Sequence, residues 1–152
     1  MRPLALGSLA AVLLVPGQQA LAQGDAKPPA APACFVTVIH AVKAAGPEVP
    51  ALRAYGPLLA AKTYKKWKSF QMASQSRYRL PPGGKALLQT AKDPLEFSLV
   101  SRDAGTTKAT LKVGKRKPQP LTFTAAAPAQ LVDGGPWQGG QLLYGVHCPA
   151  GQ

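Results

Sequence analysis

Residues 34–44 read CFVTVIHAVKA and residues 141–148 read QLLYGVHC, and the architecture depends on these two stretches. Both are rich in β-branched, aliphatic and aromatic residues, which favour strands. The first stretch is apolar on both faces at its start, which is typical of a buried central strand. Gly46 and Pro47 end it, so a first strand of about ten residues is predicted.

The two stretches begin and end on the two cysteines of the chain. If they are antiparallel neighbours, Cys34 faces Cys148, and facing residues in a ladder lie within the Cα separation that a disulfide tolerates. We therefore predict that the first and last strands lie side by side, as in a closed or nearly closed sheet. The register pairs Val36 with Val146, Val38 with Tyr144, and His40 with Leu142.

Between the two stretches, apolar and polar residues alternate with a period of two. Turn signals interrupt the alternation at residues 81–84, 103–105 and 114–118. Short alternating runs separated by turns predict a mainly β domain, either an antiparallel sandwich or a barrel-like sheet. The predicted runs cover residues 67–80, 85–91, 95–102, 107–113 and 121–125.

One helical segment is predicted around residues 50–62, which read PALRAYGPLLAAK. Leu52, Tyr55, Leu58 and Leu59 recur at near-helical spacing. Pro57 lies in the middle, where a proline clashes with the carbonyl four residues before it. The segment is therefore either a kinked helix or two short turns.

The start of the chain predicts export. One basic residue precedes the apolar run LALGSLAAVLLV, and the small residues of Ala20-Leu21-Ala22 follow, so residues 1–22 are a predicted signal peptide cleaved after Ala22. The run is too short to span roughly 30 Å of hydrocarbon, and no transmembrane segment is predicted in the mature chain. Residues 23–33 are a Pro/Ala-rich tether, and residues 34–152 form a single β-rich domain.

Export leads to the periplasm or to secretion, and both compartments are oxidising. A pair of cysteines normally bonds there, so we predict a disulfide between Cys34 and Cys148; the alternative is two free buried thiols. Closing a loop of this length removes unfolded-state entropy worth on the order of 4 to 5 kcal/mol.

The chain is strongly basic. Loss of Arg2 with the signal peptide lowers its formal net charge from +12 to +11. Such a charge favours attraction to polyanions, and the candidate partners are lipopolysaccharide, nucleic acid, acidic glycan and anionic lipid.

The densest basic and aromatic cluster is YKKWK, which contains Lys65, Lys66, Trp67 and Lys68. In one interpretation this cluster binds a ligand, and its aromatic rings would stack on bases or sugars while its lysines contact phosphates. Alternatively, Tyr64 and Trp67 are core residues at the helix-to-strand junction, with solvated lysines between them.

Two further features are candidate binding elements. The first is the predicted hairpin tip with Lys115, Arg116 and Lys117, which either touches a phosphate-rich surface or keeps the hairpin soluble and its edge unpaired. The second is Trp137 within the glycine-rich stretch 134–140, which is either an exposed ligand platform or a plug at the end of the β core.

No metal, cofactor or catalytic site is predicted. Zinc sites need three or four ligands, whereas His40 shares a face with Cys34 and His147 points to the opposite face. Asp93 and Glu96 are close in sequence, but they flank a strand start and are expected to be solvated. The chain contains no nucleophile elbow, and we expect a protein that is not an enzyme.

The closing stretch resembles the end of short secreted proteins from predatory and social soil bacteria, the myxobacteria and similar organisms. Residues 128–132 read PAQLV, residues 137–142 read WQGGQL, and residues 145–146 read GV. In that family an aromatic-x-Gly-Gly-x-Leu run precedes Gly-Val or Gly-Ile. The aromatic-x-x-Phe strand from Trp67 to Phe70 is similar too. The resemblance implies export and brings no activity, cofactor or site residue with it.

Together these observations predict an exported, non-enzymatic envelope or secreted module that binds an anionic partner through the two basic clusters. One alternative is a structural or assembly accessory that binds another envelope protein through an apolar patch or a sheet edge. A second alternative is a small periplasmic enzyme, or an enzyme inhibitor that presents residues 134–140 as a rigid protruding loop.

Overall fold

Eight antiparallel strands make up most of residues 32–149, which are the part of the chain that the computed structural model describes. The predicted signal peptide and residues 23–31 of the predicted tether lie outside the described residues. The strands are β1 (Cys34–Val42), β2 (Ser69–Tyr78), β3 (Lys85–Leu88), β4 (Leu95–Asp103), β5 (Thr106–Val113), β6 (Gln119–Thr124), β7 (Ala129–Trp137) and β8 (Gly140–His147).

The strands form two four-stranded sheets. The first sheet has the order β2-β1-β8-β7, and the second has the order β3-β4-β5-β6. One buried apolar cluster takes its side chains from both sheets, so the sheets pack face to face. This confirms the prediction of a mainly β antiparallel fold and selects the sandwich over the barrel. The members from the first sheet include Val36, Val38, Val132, Leu142, Tyr144 and Val146, and those from the second include Leu95, Phe97, Leu99, Leu111, Val113, Leu121 and Phe123.

The predicted pairing of the chain ends is confirmed. β1 and β8 are antiparallel neighbours, and the register pairs Val36 with Val146, Val38 with Tyr144 and His40 with Leu142. A disulfide joins Cys34 to Cys148, whose Cα atoms are 4.3 Å apart. The sheet is open rather than closed, because β1 has β2 on its other side and β8 has β7.

The helical segment, residues 50–64, packs against part of the other face of the first sheet. It consists of a 3-10 turn at Pro50–Tyr55, a short helix α1 at Gly56–Leu59 and a second 3-10 turn at Lys62–Tyr64. Pro57 falls in the first turn of α1, where no intrahelical N–H is needed, so it starts a new piece instead of kinking a long helix. Among residues 32–149, no helix has the length and apolarity needed to cross a membrane.

A second buried cluster lies between this segment and the sheet. It contains Ile39 and Ala41 from β1, Leu143 from β8, and Leu52, Tyr55 and Leu59 from the helical segment. The fold thus has three layers: the second sheet, the first sheet and the helical segment. The first sheet can contact both neighbours because successive residues of β1 and β8 point to opposite faces. Both faces of these two strands are therefore buried.

The interpretation of residues 134–140 as a protruding loop is wrong. β7 runs on to Trp137, and only a tight turn separates it from β8. The strand is irregular between Asp133 and Gly135, where its register shifts, and Gly135 has a φ of 84°. β7 is an edge strand, where a bulge, glycine and proline are tolerated. Glycine and proline are typical of loops, so the composition of this stretch predicted a loop instead of a strand.

Several predicted strands are also longer than the observed ones. The first stretch, 34–44, is β1 and ends at Val42, and the predicted run 67–80 is β2 at Ser69–Tyr78. The predicted strand 85–91 ends at Leu88, because the Thr90 hydroxyl accepts hydrogen bonds from the amides of Lys92 and Asp93 and forms a local turn. The predicted run 121–125 corresponds to β6, which ends at Thr124.

Removing the disulfide is expected to destabilise the domain strongly. The bridge closes a loop with a sequence separation of 114 residues. A double Cys34→Ala/Cys148→Ala variant should therefore lose about 4 to 5 kcal/mol of unfolding free energy, measured by urea denaturation. A single Cys148→Ala variant should lose about the same amount, because either change breaks the bridge. A loss below about 1 kcal/mol would show that the pairing of β1 with β8 does not need the cross-link.

Candidate functional site

The two basic clusters of the sequence lie at the same end of the sandwich. Lys68 lies just before β2, and its amide donates a 2.9 Å hydrogen bond to the carbonyl of Val42, the last residue of β1. Residues 115–117 belong to the connection between β5 and β6. β4 begins beside this connection, where the amide of Gly114 bonds the carbonyl of Pro94 at 2.8 Å.

A chain of hydrogen bonds joins the clusters through Asp133 of β7. The indole Nε1 of Trp67 donates to Oε1 of Gln141 at 3.1 Å, and Nε2 of Gln141 donates to Oδ1 of Asp133 at 2.6 Å. From the other side, Nη1 of Arg116 donates to the backbone carbonyl of Asp133 at 2.8 Å. Burial, with a smaller contribution from the Asp133 charge, raises the pKa of Tyr64. Segments far apart in sequence therefore meet at one residue of β7.

Lys92 joins the same surface, and sequence reasoning missed it. Its Nζ donates to the carbonyls of Gly134 at 2.7 Å and Pro136 at 3.0 Å. With Arg116, it satisfies backbone carbonyls where the ladder of β7 is irregular. No local motif could have revealed this role, because Lys92 and Gly134 are 42 residues apart in sequence.

We call this surface the basic end. Its cationic side chains are exposed, and none of them is paired with a carboxylate among residues 32–149, where the ion pairs are Arg53 with Glu48 and Lys85 with Glu96. The basic end consists of Lys65, Lys66, Lys68, Lys92, Lys115, Arg116 and Lys117.

Trp67 lies in the basic end as an anchor rather than as a free platform. It is half-buried and packs against the second apolar cluster, and its indole N–H is bonded to Gln141. Nζ of Lys66 lies 5.1 Å from the centre of its ring, within the range of a cation–π contact. The ring therefore anchors this segment to the second apolar cluster and has the ammonium of Lys66 beside it.

Trp137 is half-buried and packs against the core between the sheets. The imidazole ring of His40 meets it edge-on at 4.9 Å, and Nε2 of His40 donates to the Trp137 carbonyl at 3.2 Å. One side of Trp137 lines a cavity of about 180 Å³, which also contacts β2 and residues 89–91. Trp137 therefore contacts the core on one side and the cavity on the other.

The two histidines lie on opposite faces of the first sheet, as the register predicts. His147 lies on the face of the helical segment, where its ring stacks on Phe35 at 6.0 Å and burial lowers its pKa. His40 lies on the core face with Leu142. Within residues 32–149, no group of three or more histidine, cysteine or acidic side chains is placed to hold a metal ion.

The helical segment, and with it residues 65–68, is anchored by Tyr55. This side chain is fully buried, and its hydroxyl lies 3.1 Å from Oγ1 of Thr37, which also accepts from Nε2 of Gln75 at 3.0 Å. The ring lies on Gly145, where an added Cβ would be 2.6 Å from Cε1 of Tyr55. Burial raises the pKa of Tyr55 to about 12, against the opposing effect of the hydrogen bond with Thr37.

Two concave surfaces adjoin the basic end. A wide cleft of about 690 Å³ lies between residues 92–94 and residues 113–116. A smaller groove of about 370 Å³ lies beside Lys68, between the helical segment and the start of β2.

Comparison of the chain with known protein families, with curated proteins and with solved structures gave no match.

The anchoring of Tyr55 should make stability fall steeply at high pH. The unfolded chain loses the phenol proton near pH 10, whereas the folded protein keeps it until about pH 12. The contribution of Tyr55 is fully present below pH 10, and about 1.4 kcal/mol is lost per pH unit between 10 and 12.

Urea unfolding of the parent protein and of Tyr55→Phe, from pH 9 to 11.5, measures this loss. Tyr55→Phe leaves the bond between Thr37 and Gln75 in place and removes the titrating group. The difference between the two proteins isolates Tyr55 from Tyr64 and Tyr144, whose pKa values burial also raises. Parallel stability curves would contradict the buried position of the Tyr55 hydroxyl.

Proposed function

We propose that the chain is an exported, non-enzymatic module that binds polyanions through the basic end. The observation that carries this proposal is that each basic cluster has one residue linked to Asp133, Trp67 through Gln141 and Arg116 directly, although the clusters are about fifty residues apart in the sequence. A polyanion presents repeated negative charges, so it contacts several cations at once only where these share a surface. Lipopolysaccharide, acidic glycan and nucleic acid all meet that requirement.

The electrostatic state of the basic end supports the proposal. Its lysines and arginine are exposed and make no ion pair among the described residues, so their charge is available to a ligand. A ligand that neutralises them releases counterions, which makes binding favourable at low salt and weak at high salt.

The position of the basic end supports it as well. Residues 65–68 are held by the Trp67 to Gln141 hydrogen bond and by the packing of the helical segment, and the connection after β5 is held by Arg116. The backbone that carries these charges is already in place, so binding a ligand orders the lysine side chains but not the segments that hold them.

Export to the periplasm or beyond is part of the proposal. The buried disulfide between Cys34 and Cys148 supports it, because such bonds persist in oxidising compartments. The accessory role, as a partner of another envelope protein, has less support. The exposed large apolar side chains of the described residues are Met72, Leu87 and Val100, one each on β2, β3 and β4.

Neutralising the basic end should weaken polyanion binding. A triple Lys65→Gln/Lys115→Gln/Lys117→Gln variant is chosen because none of these side chains makes a hydrogen bond, an ion pair or a cation–π contact among the described residues. On heparin and lipopolysaccharide matrices, we expect elution at lower salt than the parent. The slope of log affinity against log salt should fall by about one for each lysine that no longer meets an anionic group of the ligand.

The matched control is Arg77→Gln/Arg79→Gln/Lys108→Gln, which changes the net charge equally at exposed positions outside the basic end. It should elute close to the parent protein. Equal effects of the two triple variants would mean that net charge alone causes retention. If neither variant changed the retention, the proposal would be overturned.

A further inference from the structure

The groove beside Lys68 has an apolar wall and an open side. It is bounded by the turn at residues 46–49, the helical segment and the start of β2. Its volume of about 370 Å³ lies within the range of small-ligand sites, roughly 300 to 1,000 Å³. The apolar side chains that line it are Val49, Leu52, Leu59, Ala60 and Phe70.

The floor of the groove belongs to the second apolar cluster. Leu52 and Leu59 are almost fully buried in that cluster, and Val49 and Phe70 pack against it at its edge. The groove is therefore an extension of the core to the surface, where an apolar ligand would remove further apolar area from water.

The charges at the groove are mostly cationic. Arg53 and Lys68 line it, and the acidic residue is Glu48, whose carboxylate lies 3.8 Å from Nε of Arg53. Lys68 makes no ion pair among residues 32–149 and is also a member of the basic end. The groove and the basic end thus share Lys68.

We propose that the groove binds the acyl chain of a phosphorylated lipid, with the lipid phosphate at Lys68. This inference rests on the proposed function and narrows its ligand from polyanions in general to anionic amphiphiles. An acidic glycan or a nucleic acid would satisfy the basic end and leave the groove empty. A lipid with an anionic headgroup satisfies both surfaces, because its chain needs apolar walls and its phosphate needs a nearby cation.

A series of alkyl phosphates tests the chain-length dependence. Butyl, octyl and dodecyl phosphate are titrated into the oxidised protein by calorimetry, below their micelle concentrations. Each methylene that enters the groove should strengthen binding about fourfold until the groove is full. Inorganic phosphate is the headgroup-only probe, and dodecyltrimethylammonium is the probe of opposite charge. Both should bind at least tenfold more weakly than dodecyl phosphate.

Two substitutions separate the groove from its surroundings. Ala60 is exposed and lines the groove, so Ala60→Phe should fill it with little cost to the fold and weaken dodecyl phosphate binding at least tenfold. Ala61→Phe is the matched control at an exposed neighbour that does not line the groove. Lys68→Gln should weaken dodecyl phosphate binding and leave dodecyltrimethylammonium unaffected or tighter.

Heparin retention distinguishes the two proposals, because heparin has no acyl chain. If the affinity for alkyl phosphates does not depend on chain length, or is unchanged in Ala60→Phe, the groove assignment is overturned. Unchanged heparin retention would then leave the polyanion proposal in place. Absence of heparin retention together with chain-dependent binding of alkyl phosphates would overturn the polyanion proposal alone.

Discussion

β1 and β8 pair at the centre of the first sheet, and each of the two apolar clusters needs both strands. One face of the pair supplies Val36 and Val146 to the core between the sheets, and the other face supplies Ile39 and Leu143 to the layer under the helical segment. These strands come from opposite ends of the domain, so their pairing carries the largest loop-closure entropy in the fold. The disulfide offsets that entropy by keeping the two ends together in the unfolded chain.

The same pair positions the basic end. Gly145 of β8 leaves space for the ring of Tyr55, and Thr37 of β1 contacts its hydroxyl, so both central strands anchor the helical segment to the sheet. Gln141, also on β8, then receives the indole N–H of Trp67. The positions of the lysines at 65–68 therefore follow from residues on the two central strands.

The register of the central strands was predictable. The pairing of Cys34 with Cys148 and the β-branched residues 36–39 leave few other registers for β1 and β8. The opposite placement of His40 and His147 follows from strand alternation. β7 was not predictable, since glycine and proline mark a loop by composition and become tolerable only at an irregular edge strand. The role of Lys92 was not predictable for another reason. Its partners are backbone carbonyls, which every residue has, so no sequence pattern indicates them.

Some cations of the basic end make contacts that the fold uses, and others make none. Lys92 and Arg116 satisfy carbonyls of β7, so the fold itself accounts for them. The side chains of Lys65, Lys115 and Lys117 make no hydrogen bond or ion pair among residues 32–149. Placing them beside other cations weakens the folded state through like-charge repulsion, whereas lysines spread over the surface would give the same solubility without that cost. The fold gives these three lysines no role, and the proposed polyanion would give them one by neutralising their charge.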